Sequence, residues 1–202
     1  MRTIIGSIGE ISPELEVAVA AYRHKIFIER LGWQLRVTGS LERDQFDRDD
    51  TIYIVKQGAD GKICGCARLL PTVRPYLLSM VFPHLLEGSP APAAPDVWEL
   101  SRFASVSVDP DSGAATNVPS NTRELLGTAV TSAAQRGASR LITVSPLGVE
   151  RLLLRMGVNA HRAGPPTHVD GKLVFACWIE IDEQTTSALG VASNRHPPIQ
   201  IS

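Results

Sequence analysis

The chain reads as an α/β protein, a mixed and mostly antiparallel sheet flanked by helices, and three observations predict it. Thr51 to Gln57 and Lys62 to Leu70 are two β-rich runs joined by G-A-D-G, a hairpin signal. Val97 to Ala104 and Arg140 to Ser145 are two more strands, with the clearest helix of the chain, Asn121 to Arg136, between them. That order makes a helix-linked crossover. An amphipathic helix precedes all of these.

Bulk properties fit one domain over residues 1–202, long enough for a sizeable core, with about 187–202 as a Pro/Ser/Asn-rich tail. Apolar residues make up 44% and charged residues 20%, ordinary for a globular protein. Twenty basic and 21 acidic residues leave a formal charge of -1, so bulk charge favours neither nucleic acid nor a membrane surface. No apolar run approaches the roughly 20 residues of a membrane span. The opening M-R-T-I-I-G-S-I-G-E lacks a sustained apolar stretch and predicts no signal peptide. Three cysteines, an odd number, fit reduced thiols and a cytoplasmic location. Cys64 and Cys66 alternate onto one strand face as buried thiols, and no metal site is expected. His161 and His168 flank G-P-P and read as loop histidines.

The first helix, Pro13 to Leu31, takes Ser12 as its N-cap, Pro13 at its first position and Glu14 and Glu16 in its first turn. Leu15, Val19, Tyr22 and Ile26 form its apolar stripe and Gly32 its stop, with Arg23 and Phe27 as neighbours four apart. Leu35 to Asp50 has no periodicity and is charge-dense, an irregular and mobile loop with Phe46 inside it and Trp33 just before it. Arg68 lies in an otherwise apolar strand, so it must reach an edge or pair with a carboxylate. Gly65, in the same strand, signals a bulge or a close backbone approach. Tyr76 to Leu86 is short helix and turn, and Val108 to Pro119 a polar loop. Asn121 with Glu124 resembles a capping box for the long helix. Gly148 to Met156 is a short helix with Val149, Leu152, Leu153 and Met156 inward and Arg151 and Arg155 outward. Val158 to Arg162 and Lys172 to Ile181 complete the strands.

The strand V-W-E-L-S-R-F-A at 97–104 is the centre of the chain. Strict alternation sets Glu99, Ser101 and Phe103 on one face and Trp98, Leu100 and Arg102 on the other. A bulge, common beside active sites, is the one way to bring Arg102 round to Glu99. Clefts form where strands of such a sheet diverge.

With these residues in place, the chain resembles the acyl-homoserine lactone synthases, which make quorum-sensing autoinducers. The matches are Arg23, Phe27, Trp33, Glu42, Asp44, Asp47, Arg68, Phe82, Glu99 and Arg102, together with D-Q-F-D, G-C-A-R-L-L-P and R-A-G-P-P. The resemblance implies a fold like the Gcn5-related N-acetyltransferases. It implies two substrates, S-adenosylmethionine and an acyl chain on the phosphopantetheine of acyl carrier protein, and no separate cofactor. The methionyl amine takes the acyl group, and the methionine carboxylate then closes the lactone and releases 5′-methylthioadenosine. Glu99, Ser101 and Arg102 are the implied catalytic group, with Glu99 the base. Arg23, Phe27, Trp33, Asp44, Asp47, Arg68, Phe82, Phe103 and Thr143 are the implied substrate-binding set. In that set Arg23 meets the substrate carboxylate, the acidic residues meet its amine and sulfonium, and the family associates Thr143 with 3-oxo chains. Arg68 and Arg102 are expected to pair with the loop carboxylates and hold the loop shut. An acidic carrier protein needs a basic patch, and Arg140, Arg151 and Arg155 are the candidates; the protein is expected to be a monomer.

Two other classes fit the sequence less well. An acetyl-CoA-dependent N-acetyltransferase uses R/Q-x-x-G-x-G/A to cradle a pyrophosphate, and the nearest stretch, Arg123 to Ala129, has one residue too many and lies in a helix. A non-catalytic ligand-binding domain of the same fold has no use for Glu99 and the acidic loop together.

Overall fold

The computed structural model describes residues 1–35, 37–106 and 118–192. In chain order the described elements are β1 (Arg2–Ser7), α1 (Pro13–Arg23), a π-helical turn (His24–Arg30), β2 (Val37–Thr38), β3 (Leu41–Glu42), β4 (Ile52–Gln57), β5 (Ile63–Pro71) and α2 (Leu77–Val81). After a 3₁₀ turn (Pro83–Leu86) come β6 (Val97–Ala104), α3 (Val118–Ala134), β7 (Arg140–Pro146), α4 (Leu147–Met156), β8 (Ala160–Arg162), β9 (Thr167–Val169), β10 (Lys172–Glu180) and α5 (Glu183–Leu189).

The main sheet runs β1-β4-β5-β6-β7-β10-β8, with β9 also paired to β10. Every pairing is antiparallel except β6 with β7, the pair joined through α3, as a crossover requires. Helices cover both faces. On one, α3 and α4 pack Leu125, Leu126, Ala129, Leu153 and Met156 onto Ile54, Leu69, Leu100, Leu141 and Phe175. The other face is shared: α1 and the π turn bring Val19, Tyr22 and Ile26 to Tyr53, Val55 and Cys66, while α2 and the 3₁₀ turn bring Leu78, Leu85 and Leu86 to Leu70, Ile142 and Val174.

The parallel β6–β7 ladder holds only from Val97 opposite Arg140 to Glu99 opposite Ile142. Beyond it the two strands separate, and the sheet opens between them. This is the divergence at which a cleft is expected, and it lies at the middle of V-W-E-L-S-R-F-A.

The structure corrects several expectations. The first helix stays α only to Arg23; Leu31 N–H then bonds to Ile26 C=O, and the turn widens to π, a form frequent at functional sites. The stretch from 35 to 50 is not irregular throughout. It contains the β2–β3 hairpin and a turn in which Asp44 accepts from Phe46 N–H at 2.9 Å and Asp47 from Asp44 N–H at 2.8 Å. β1 and β9 were not anticipated. β9 enters β10 through Asp170 and Gly171, both at positive φ, the form a two-residue hairpin turn needs. The chain from 187 is not tail at first: α5 runs to Leu189, which is buried, after a start capped by the Asp182 side chain. Most of the expected 108–119 loop, and residues 193–202, lie outside the described residues. Gly164, in R-A-G-P-P, lies so close to the chain at Leu85 that a Cβ would run into that carbonyl oxygen.

Candidate active site

A cavity of about 920 Å³ opens at the divergence of β6 and β7. Its walls come from both faces of the sheet. Phe27, Trp33, Asp44, Phe46, Phe82 and Arg102 line the side covered by α1 and α2, while Leu126, Val149, Leu152, Leu153 and Met156 line the side covered by α3 and α4. Leu100, Ser101, Phe103, Thr143 and Ser145 stand along the diverging strands between them. The cavity therefore passes through the sheet, with an aromatic and charged half on one side and an apolar half on the other.

The charged half is built from three guanidiniums and three carboxylates. Arg23 is bidentate to Asp47 at 2.7 and 3.1 Å and gives its Nε to Glu42 at 2.5 Å. Arg68, wholly buried, is bidentate to Asp44 at 2.6 and 3.0 Å, bonds Asp47 at 2.8 Å and donates its Nε to Ser101 Oγ at 3.0 Å. Arg102 bonds Glu42 through Nε and Nη2 and Asp44 through Nη2; Nη1 takes no part in these bonds. Tyr53 O–H adds a bond to Asp47 at 2.6 Å. Isolated charges at this depth are strongly unfavourable, and mutual bidentate pairing is what offsets their desolvation. Burial by itself raises the Asp47 carboxyl, but the Arg23 and Arg68 guanidiniums outweigh it and hold the group well below the usual carboxylate range. Glu42 is lowered against its burial in the same way, by Arg102 and Arg23.

Arg102 joins this network because β6 bulges. In the β5–β6 register Cys66 faces Ala104 and Arg68 faces Ser101, so Arg102 and Phe103 together oppose Ala67. Arg102 takes φ +49°, a left-handed conformation that is strained for a residue with a Cβ. The bulge brings Arg102 to the Ser101 side and sends Phe103 to the α3 side, against the core there, so the expected shared face of Glu99, Ser101 and Phe103 does not hold for Phe103.

Glu99 stands apart from the network. It is wholly buried, and its two oxygens accept from Leu78 N–H at 2.7 Å and Leu77 N–H at 3.0 Å, the first amides of α2. Burial pushes its carboxyl up to about 7, although the Leu78 and Leu77 amides and the distant Arg68 pull the other way. Glu99 is not among the cavity-lining residues; Leu100 and Ser101, next along the strand, are.

The remaining expected site residues divide. Phe27, Trp33, Asp44, Phe82, Ser101, Arg102, Phe103 and Thr143 all reach the cavity, whereas Arg23, Asp47 and Arg68 stand behind its wall with their charges committed to each other. Thr143 Oγ1 lies 3.4 Å from Ser145 Oγ on the apolar side. Arg151 and Arg155 are exposed on α4, but Arg140 does not join them. Its side chain is on the opposite face of the sheet, stacked 4.3 Å from the Trp178 ring and paired with Glu180, which His161 also contacts. Sequence reading missed Ser145 as a wall residue and took the inward stripe of α4 for core alone; Phe46, noted there as aromatic company for the acidic loop, lines the wall, and Glu42, one of the loop carboxylates, does pair with Arg102.

The family sequence model described as Autoinducer synthase matches residues 13–189. The chain belongs to the autoinducer synthase family. It is 50% identical to an acyl-homoserine-lactone synthase of Ralstonia solanacearum, over 98% of both chains. Among solved structures it superposes on TofI in a ternary complex with an inhibitor and MTA, at TM-score 0.84 and 47% identity, over 96% of this chain and 98% of that one. A CoA-dependent acyl-homoserine lactone synthase, BjaI, with SAM and isopentyl-CoA, matches at TM-score 0.79 and 26% identity over 95% and 89%. The fold extends further, to an N-acetyltransferase from Lactobacillus plantarum at TM-score 0.59 and 21% identity, over 90% and 98%. The activity of this autoinducer synthase is acyl-homoserine-lactone synthesis, an acyl transfer. Among the described residues no helix is long and apolar enough to cross a membrane, and no cluster of side chains is arranged to hold a metal ion.

Proposed function

We propose that the chain, as one monomeric synthase domain over residues 1–202, acylates S-adenosylmethionine with a chain carried on acyl carrier protein and then closes the lactone. The observation that carries this reading is the cavity that crosses the sheet, because it offers two unlike substrates separate walls and a common meeting point. S-adenosylmethionine takes the aromatic and charged half. Phe27, Trp33 and Phe82 border its adenosine, Asp44 faces its cationic end, and Arg102, through the Nη1 outside the ion-pair network, meets its carboxylate. Arg23, Asp47 and Arg68 act from behind the wall as positioning residues. The acyl chain takes the apolar half along Leu126, Leu153 and Met156, with Thr143 and Ser145 presenting hydroxyls near the carbonyl end.

The α-amine attacks the thioester carbon at the divergence. A C–N bond forms, the C–S bond breaks, and the pantetheine thiolate leaves with the electron pair. The amine must lose a proton to react, since its reference pKa lies near 8. Glu99, with its proton affinity raised to about 7, accepts that proton through a water beside Ser101. Strand β6 beyond Glu99 has no β7 partner, and main-chain N–H groups along that open side stabilise the oxyanion. The methionine carboxylate then attacks its own γ-carbon, and the C–S bond to the sulfonium breaks toward sulfur to leave neutral 5′-methylthioadenosine. The exposed Arg151 and Arg155 on α4, beside the apolar half, receive the acidic carrier protein.

The test is reconstitution. Purified protein is supplied with S-adenosylmethionine and a panel of acyl-carrier-protein and acyl-CoA thioesters of matched chains, and lactone and methylthioadenosine are followed by mass spectrometry. Equimolar lactone and methylthioadenosine with a far lower KM for the carrier thioester are expected. Equal or better use of acyl-CoA would overturn the carrier-protein assignment, as the CoA-dependent relative shows is possible within this fold.

A further inference from the structure

Three rings of the cavity's aromatic wall, Phe27, Phe46 and Trp33, each carry a cation on one face. Arg102 lies 5.7 Å from the Phe27 centroid and Arg68 5.9 Å from that of Phe46, both drawn from the buried network. Trp33 takes its cation from elsewhere: Lys172 Nζ stands 5.2 Å from the indole centroid and donates to Gly32 C=O at 3.1 Å. Lys172 is the first residue of β10, directly after the Asp170–Gly171 turn, so the hairpin fixes where its side chain starts. Gly32 closes the π-helical turn that carries Phe27, and Trp33 N–H bonds back to Phe27 C=O at 2.9 Å. One ammonium thus satisfies an end-of-helix carbonyl, where a cation is favourable, and covers one face of the ring beside it.

We infer that Lys172 is a positioning residue for substrate: it ties the end of the π turn to the β9–β10 hairpin and holds the Trp33 ring with one face turned to the cavity. The consequence for specificity is electrostatic. A ring already bearing a cation disfavours a second cation on its other face and suits a neutral, electron-rich purine. Trp33 therefore receives the adenine of the bound nucleoside, and the sulfonium is left to Asp44. This rests on the reading that S-adenosylmethionine occupies that half.

The test uses 5′-methylthioadenosine, which carries the adenine and no positive charge, with Lys172→Met and Lys172→Arg in the full chain. Calorimetry is expected to show its Kd rising about three- to tenfold in Lys172→Met, the size of one exposed cation–π contact with its hydrogen bond, and returning to near wild type in Lys172→Arg. KM for the acyl donor and kcat should stay within about twofold, because the apolar half is untouched. Acrylamide quenching of Trp33, in a Trp98→Phe/Trp178→Phe background, should increase in Lys172→Met and not in Lys172→Arg. An unchanged Kd, or a Kd that rises equally in both variants, would overturn the inference. A wild-type protein that bound no methylthioadenosine would overturn the functional reading instead, and the quenching of Trp33 would then decide whether Lys172 holds the ring.

Discussion

The two halves of the cavity are made by opposite means. On the α1–α2 side the wall is set by directed bonds: six charges satisfy one another, three of them (Arg23, Glu42 and Arg68) fully buried, and three rings each take a cation. On the α3–α4 side the walls are aliphatic side chains of one continuous core, with Thr143 and Ser145 as isolated polar points. The first construction fixes geometry to a fraction of an ångström and tolerates little substitution. The second fixes only volume and tolerates hydrophobic exchange. A small, invariant, charged substrate suits the former, and an acyl chain of variable length suits the latter.

Glu99 should give the largest effect. Glu99→Gln is expected to lower acylation by roughly 10²–10⁴-fold, the span of a general base. The wild-type kcat/KM should rise with pH through about 7, the value of this carboxyl, and that limb should vanish in the variant. Near-normal turnover in Glu99→Gln would leave Glu99 only its structural part, that of holding the first amides of α2.

Removing Arg68 should come next, through stability. Arg68→Met leaves Asp44 and Asp47 short of a partner in a buried site, a loss of about 3–5 kcal/mol. For a chain of this length that is a fall in Tm of roughly 10 °C, read by thermal melting. Asp47→Asn and Arg102→Ala should each weaken the same network, and their combination should fall well short of the sum of the two. Additive effects would mean that the charged half is not one unit. The network also sets the acid limit. Asp47 and Glu42 are lowered in the folded state, so their contribution is present above the ordinary carboxylate range and is lost as pH falls below about 4. Glu99 runs oppositely: raised to about 7, its contribution is complete below the ordinary value and lost as pH rises through 7. Melting curves between pH 3 and 8 for wild type, Asp47→Asn and Glu99→Gln separate the two.

The smallest effect belongs to the outer surface of the apolar half. Arg151→Glu with Arg155→Glu should raise KM for the acyl-carrier protein at low salt and leave KM for S-adenosylmethionine unmoved, with the difference fading as salt rises. Arg140→Glu should not share this effect, because Arg140 is bound to Glu180 on the other face. A carrier KM indifferent to Arg151 and Arg155 at low salt would place docking elsewhere.

Much of this was readable from local pattern. The β4–β5 hairpin, β6, β7, α4 and the pairing demanded by a buried Arg68 all follow from period and from the cost of an unpaired charge. What was missed is non-local or carries no distinct signal. A π turn has nearly the same apolar spacing as the α helix it continues, so His24–Arg30 looked like ordinary helix. β1 is an edge strand, and β9 is three residues long behind G-P-P. The bulge at Arg102 has no glycine to announce it, so alternation sent Phe103 to the wrong face. That Arg23 and Asp47 spend their charges on each other, and that Glu99 caps α2, depends on contacts across 24 residues in the first case and 21 and 22 in the second, which no short motif encodes.

One cavity joins two independently built halves, and paired binding measurements can move each half alone. Val149→Trp intrudes on the apolar half alone, and Asp47→Asn disturbs the charged half alone. Titration calorimetry with S-adenosylmethionine should give a wild-type Kd for Val149→Trp, while the longest acyl chain accepted from carrier thioesters becomes shorter. Asp47→Asn should weaken S-adenosylmethionine at least tenfold and leave the chain-length profile unchanged. Loss of S-adenosylmethionine binding in Val149→Trp, or a shifted chain-length profile in Asp47→Asn, would contradict the separation of the two halves.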